Sequence, residues 1–124
     1  MADLDLIFIE IRSLLQKYSP PFVAKDSTED FYDLWSIRDL VIEGRKRSEV
    51  YFAAVKKNKG YVGFYFMPVY IESEQKKLIP PDLLKCLKGK SCFHIKTLSA
   101  ELIQQIEQAL NVGFQLYKER GWIE

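Results

Sequence analysis

Residues 50–70 read Val50-Tyr51-Phe52-Ala53-Ala54-Val55-Lys56-Lys57-Asn58-Lys59-Gly60-Tyr61-Val62-Gly63-Phe64-Tyr65-Phe66-Met67-Pro68-Val69-Tyr70. Two runs of aromatic and β-branched residues flank a polar stretch that ends in Asn58-Lys59-Gly60. Such side chains suit a pleated, half-buried surface, and glycine supplies the positive φ that a tight hairpin turn requires. The stretch therefore predicts a β-hairpin. Alternation on its second strand sorts Val62, Phe64 and Phe66 to one face and Tyr61, Gly63, Tyr65 and Met67 to the other. Phe52, Phe64 and Phe66 are expected in the core. Pro68 has no amide hydrogen for a ladder and closes the second strand. Gly63 among large rings predicts either a bulge or close packing by a neighbour.

Upstream, Phe31 to Ile42 reads as a further strand in which Phe31, Trp35, Ile37 and Val41 share one parity, interrupted by Asp33 and Asp39. Glu43-Gly44 turns the chain into the basic Arg45-Lys46-Arg47. Before this strand, Leu4, Ile7, Ile11, Leu14, Leu15 and Tyr18 recur at spacings of three and four and predict an amphipathic helix over 3–18, ended by Pro20-Pro21. Downstream, Ile79 to Gly89 predicts a short helix with proline at its start and Gly89 as its C-cap. Lys90 to Lys96 alternates as a strand. Ser99 caps a last long helix with a stripe of Leu102, Ile103, Ile106, Ala109, Leu110, Gly113 and Tyr117. Consecutive strands with short links pair antiparallel. The expected class is α+β: one domain over 1–124, with an antiparallel sheet of about four to five strands packed in two layers against N- and C-terminal helices.

At 48% hydrophobic and 28% charged residues, the composition is that of a globular chain. Apolar runs are broken well short of the ~20 residues that span a bilayer, which argues against a membrane role. The acidic start, Met1-Ala2-Asp3-Leu4-Asp5, lacks the basic lead of a secretory signal, so the expected location is the cytoplasm, with Cys86 and Cys92 as free thiols. The net charge of +1 conceals three blocks. Residues 1–43 carry four basic and nine acidic side chains, residues 44–96 carry twelve and four, and residues 97–124 carry two and four. The middle block is strongly basic, while the near-zero total argues against non-specific nucleic-acid binding. Lysine at sheet edges and on solvated faces is the plain structural account of that block.

No catalytic or cofactor motif stands out. Cys92-Phe93-His94 places a thiol and an imidazole on one face of a strand, with Cys86 across a turn, but the paired two-residue spacing of a structural zinc site is missing. Asp26, Glu29, Asp30 and Asp33 cluster in sequence and supply the oxygens that a hard cation wants, though a solvated loop explains them equally well. Lys88-Gly89-Lys90 lacks the longer glycine-rich frame of a nucleotide loop. The aromatic load is the stronger signal. Phe, Tyr and Trp make up 14% of the chain, and helices cover only one face of a single-layer sheet. Trp35, Tyr51, Tyr61, Tyr65 and Tyr70, with Lys88 and Lys90, are therefore the candidate ligand-contacting residues.

The hairpin sequence Val50 to Tyr65, followed by Leu87-Lys88-Gly89-Lys90-Ser91-Cys92-Phe93-His94-Ile95 and a closing helix, resembles the bacterial YdhG-like domain family over about residues 30–120. The resemblance implies a small cytosolic α+β domain of frataxin-like architecture. Through members described as frataxin-like iron chaperones, it also implies an iron-binding alternative, for which Asp26, Glu29, Asp30, Asp33, Cys92 and His94 are the candidate ligands in this sequence. The tyrosine–glycine–methionine–proline element usual in the family is replaced here by Ser36 to Ser48, and its turn histidine by Lys59-Gly60. The sequence expectation is a non-enzymatic binding domain without a cofactor, contacting a small ligand or protein partner through an aromatic and lysine-lined surface. Homodimerisation through the same rings is the structural competitor.

Overall fold

The computed structural model describes residues 3–42, 44–71 and 77–123, with all of their side chains except those of residues 38–40, 42, 47, 70 and 71. Helix α1 (Leu4–Gln16) is started by Asp3, whose carboxylate accepts the amides of Asp5 at 3.0 Å and Leu6 at 3.4 Å. Strands β1 (Phe31–Ile42), β2 (Arg45–Asn58) and β3 (Tyr61–Phe66) follow, then the single-turn helices α2 (Pro68–Ile71) and α3 (Pro81–Leu84). Strands β4 (Leu87–Lys88) and β5 (Cys92–Ile95) and the 20-residue helix α4 (Ala100–Glu119) complete the chain. The five strands form one antiparallel sheet in the order β1-β2-β3-β5-β4. The class is α+β, as the sequence implies. No helix among the described residues is long and apolar enough to cross a membrane.

The predicted hairpin is the centre of this sheet. Asn58 pairs with Tyr61, so Lys59-Gly60 forms a two-residue loop, and Gly60 takes the positive φ of 89° that this loop demands. Val55, Phe64 and Phe93 lie opposite one another on three adjacent strands and are fully buried on the face that packs against α1. Beside them Phe22, Phe52 and Tyr117 make an aromatic knot. Phe22 stacks on Phe52 at 4.1 Å, and Tyr117 meets both edge-on at 5.8 and 5.1 Å. The buried Tyr117 hydroxyl donates to the Tyr51 carbonyl at 2.5 Å, which ties α4 to β2.

One expectation is corrected and two are made specific. The helix predicted over 79–89 is only Pro81–Leu84, and Gly89 does not cap it. Leu87 and Lys88 pair with Phe93 and Cys92, so Gly89, at φ 78°, opens the three-residue turn of the β4–β5 hairpin instead. Gly63 sits in an unbroken β2–β3 ladder, not at a bulge. A Cβ there would lie 2.9 Å from the Tyr65 hydroxyl, so close packing is the reason for glycine. On β1 the core positions are Leu34 and Ser36, while Ile37 and Val41 are exposed. The odd-numbered parity of β1 is the outward one, and the buried Ser36 hydroxyl is held by the Trp122 carbonyl.

Candidate binding face

The outward face of the sheet carries the aromatic candidates. Strand alternation and the pairing register place Trp35 of β1, Tyr51 of β2, Tyr61 and Tyr65 of β3 and His94 of β5 on the side that α1 and α4 leave uncovered. All five are partly exposed. Trp35 and Tyr51 are cross-strand partners with rings stacked at 4.6 Å, and Tyr61 stacks on His94 at 4.0 Å. Between these pairs stands Tyr65, whose hydroxyl lies beside Asn58 and Cys92. From β1 to β5 the rings cross three inter-strand spacings, or roughly 14 Å. Lys25 lies over the Trp35 ring at 4.6 Å and pairs with Glu49. Lys56 and Lys88 share the face, the latter opposite Cys92 on the edge strand.

Lys90 lies apart from the rings, in the β4–β5 turn, and the Tyr70 side chain falls outside the described ones. Burial raises the Tyr51 hydroxyl well above the ordinary phenol range, with the charge of Asp33 acting in the same direction. Burial likewise raises Tyr65. Both phenols are therefore neutral at physiological pH and act as hydrogen-bonding rings, not as bases.

The carboxylates do not assemble into a metal centre. Asp33 is 1% exposed, and its oxygens accept from the amides of Lys25 and Asp26, the Ser27 hydroxyl and the Trp35 indole, the last at 2.7 Å. It clamps the 25–27 loop against β1 and steadies the Trp35 ring. Asp26, Glu29 and Asp30 are exposed, and Asp30 faces Lys57 at 3.5 Å. Among the described residues no three His, Cys, Asp or Glu side chains converge on a point that could hold a metal ion. Cys86 and Cys92 are free. Burial raises both thiols; at Cys86 the nearby Asp82 adds to this and Lys88 opposes it, and at Cys92 the Tyr65 hydroxyl opposes it. A raised thiol pKa favours the protonated form, which is the weaker nucleophile.

The Asp33 clamp sets a pH dependence. Burial acts to raise its pKa, but the four donors outweigh burial and hold it below the ordinary carboxylate value. A depressed folded-state pKa stabilises the fold above the unfolded value of about 3.9 and loses that contribution as pH falls through the folded value. Asp33→Asn is expected to cost about 1–3 kcal/mol at pH 7, because an amide cannot accept from all four donors. Urea titrations at pH 7 and at stepwise lower pH should show the gap to wild type narrowing below about pH 4.

The elements and this face define a two-layer α+β domain with one open sheet surface. Comparison with family models, with curated proteins and with solved structures gives no match for this chain.

Proposed function

We propose that the chain is a non-enzymatic binding module whose open sheet face receives an acidic segment of a protein partner. The observation that carries this reading is the gathering of Trp35, Tyr51, Tyr61 and Tyr65, four residues scattered over 31 positions, on the face that no helix among the described residues covers. Rings that could have been buried instead form a row about as long as four extended residues. Stacked aromatics give contact area at low entropic cost, and neutral phenols give hydrogen bonds without charge. Lys56 and Lys88 on the same face, within a middle block of twelve basic and four acidic residues, favour a carboxylate-bearing partner.

Selection from a random peptide display library, combined with light scattering, tests the reading. Wild type is expected to be monomeric and to enrich acidic, aromatic-containing peptides, and Tyr61→Ser with Tyr65→Ser is expected to abolish that enrichment. Enrichment without acidic bias would refute it. A wild-type dimer dissociated by the same substitutions would assign the face to self-association. Micromolar ferrous-iron binding insensitive to them, with no peptide enriched, would favour the iron-binding alternative.

A further inference from the structure

A groove lies at the end of the sheet; it shares Lys88 and His94 with the outward face but none of Trp35, Tyr51, Tyr61 and Tyr65. Strand β4, the exit of β5, α3 and the start of α4 border an open groove of about 410 Å³. That is within the range of small-molecule sites. Lys85, Lys88 and Lys96 reach it from three different elements, joined by His94, Thr97 and Ser99. Three lysines, a histidine, a threonine and a serine thus line one volume, and all but the histidine are exposed. Lys88 and Lys96 have no carboxylate within ion-pair distance among the described residues.

Asp82, the one acidic residue of the lining among the described residues, is already engaged. One Asp82 oxygen accepts from the Gln105 amide at 2.9 Å, and the other lies 4.0 Å from Lys85. The same Gln105 accepts the backbone amides of Asp82 at 2.9 Å and Leu83 at 3.0 Å, so α3 is fastened to α4 and the walls are preformed. Leu102, 8% exposed, gives an apolar patch to the lining. The Ser99 hydroxyl caps α4 by accepting the Leu102 amide at 3.1 Å, which directs the positive end of a 20-residue helix toward the same space.

We infer that this groove binds a phosphorylated small molecule, its phosphate held by Lys88, Lys96 and the Thr97 and Ser99 hydroxyls and its body resting toward Leu102. A phosphate monoester presents three acceptor oxygens and nearly two charges, matching several donors from separate elements better than the two oxygens and single charge of a carboxylate. The volume leaves room for an organic body beyond the phosphate.

The test is a ¹H–¹⁵N NMR titration of the whole chain with inorganic phosphate, phenyl phosphate and benzoate. Phenyl phosphate is expected to bind tightest and benzoate weakest, with shifts centred on Lys88, His94, Thr97 and Ser99. The double variant Lys88→Gln/Lys96→Gln changes only exposed side chains, and its fold is checked by circular dichroism. It should weaken phenyl phosphate at least tenfold, while Tyr65→Ser should leave the affinity unchanged. That last arm separates this groove from the aromatic face. Shifts spread evenly over the lysines of residues 45–59, unaltered affinity in the double variant, or benzoate binding as well as phenyl phosphate would each overturn the assignment. A phosphoserine peptide that displaces phenyl phosphate at lower concentration would replace the small molecule by a protein ligand.

Discussion

Phe64→Ala is expected to remove about 3–5 kcal/mol of stability, a severe loss for a single substitution. Phe64 is fully buried at the midpoint of the central strand, with its ring 5.5 Å from that of Phe66 and 5.8 Å from that of Phe93. Truncation removes the ring's transfer free energy and leaves a void that the flanking strands cannot fill, because their register is fixed by ladders on both sides. Against the ~5–15 kcal/mol typical of a whole domain, this is a large fraction. Chemical denaturation should show a lower midpoint at an unchanged slope. An unaltered midpoint would mean that Phe64 does not face the core.

Gly113→Val should be nearly as damaging, against the trend of helix propensity. Replacing a mid-helix glycine ordinarily stabilises a helix, by up to ~1 kcal/mol for alanine. Here a Cβ would stand 2.6 Å from Cζ of Phe66 and 2.7 Å from Cγ of Pro68. Neither atom is the end of a flexible side chain, since one ring is fully buried and the other belongs to the start of α2. Helix α4 must move away from the sheet, and with it the Tyr117 contact to Tyr51. Overpacking of this kind typically costs ~1–3 kcal/mol, and valine's two further methyl groups place the expected loss at the upper end of that range or beyond. Thermal melts of Gly113→Ala and Gly113→Val should fall in that order below wild type. A rise for alanine would show that the helix–sheet contact is looser than these distances require.

The fold is legible in the sequence wherever a period is long enough to count. Leu4 to Leu15 and Leu102 to Tyr117 repeat at helical spacing, and Val62 to Phe66 alternates cleanly, so α1, α4 and β3 follow from pattern alone. Strand β4 has two residues and therefore no period, and its proline-led approach reads as helix. Phe52 and Ala53 are consecutive and both buried, which alternation cannot yield. The cause is a shift in the β1–β2 register between Leu34 and Trp35, which depends on two strands at once. The aromatic face is legible as an excess of rings, although its membership requires the pairing register. Asp33 illustrates the opposite case. A carboxylate inside an apolar run reads as a metal ligand, whereas its four donors make it a structural clamp. Of the groove, Lys88 and His94 stand out in the sequence, but Lys85, Lys96, Thr97 and Ser99 meet them only through the turn of the β4–β5 hairpin.

The two irregularities of the β1–β2 pair have an evolutionary consequence. Leu34 faces Ala53 but Trp35 faces Tyr51, so β2 carries one residue more than β1 at that point. Between Ile37 and Leu40 it is β1 that carries one more, and Val41 again faces Lys46 with the original offset. The two insertions cancel. Within the window between them Tyr51 faces outward to stack on Trp35 and Phe52 faces inward to stack on Phe22. A deletion of one residue from β2 in this window would exchange the destinations of two aromatic side chains, unless β1 lost a residue as well. Length changes in descendants of this chain should therefore come as matched pairs across the hairpin, and the spacing from Leu34 to Ala53 should vary less freely than the residues that fill it.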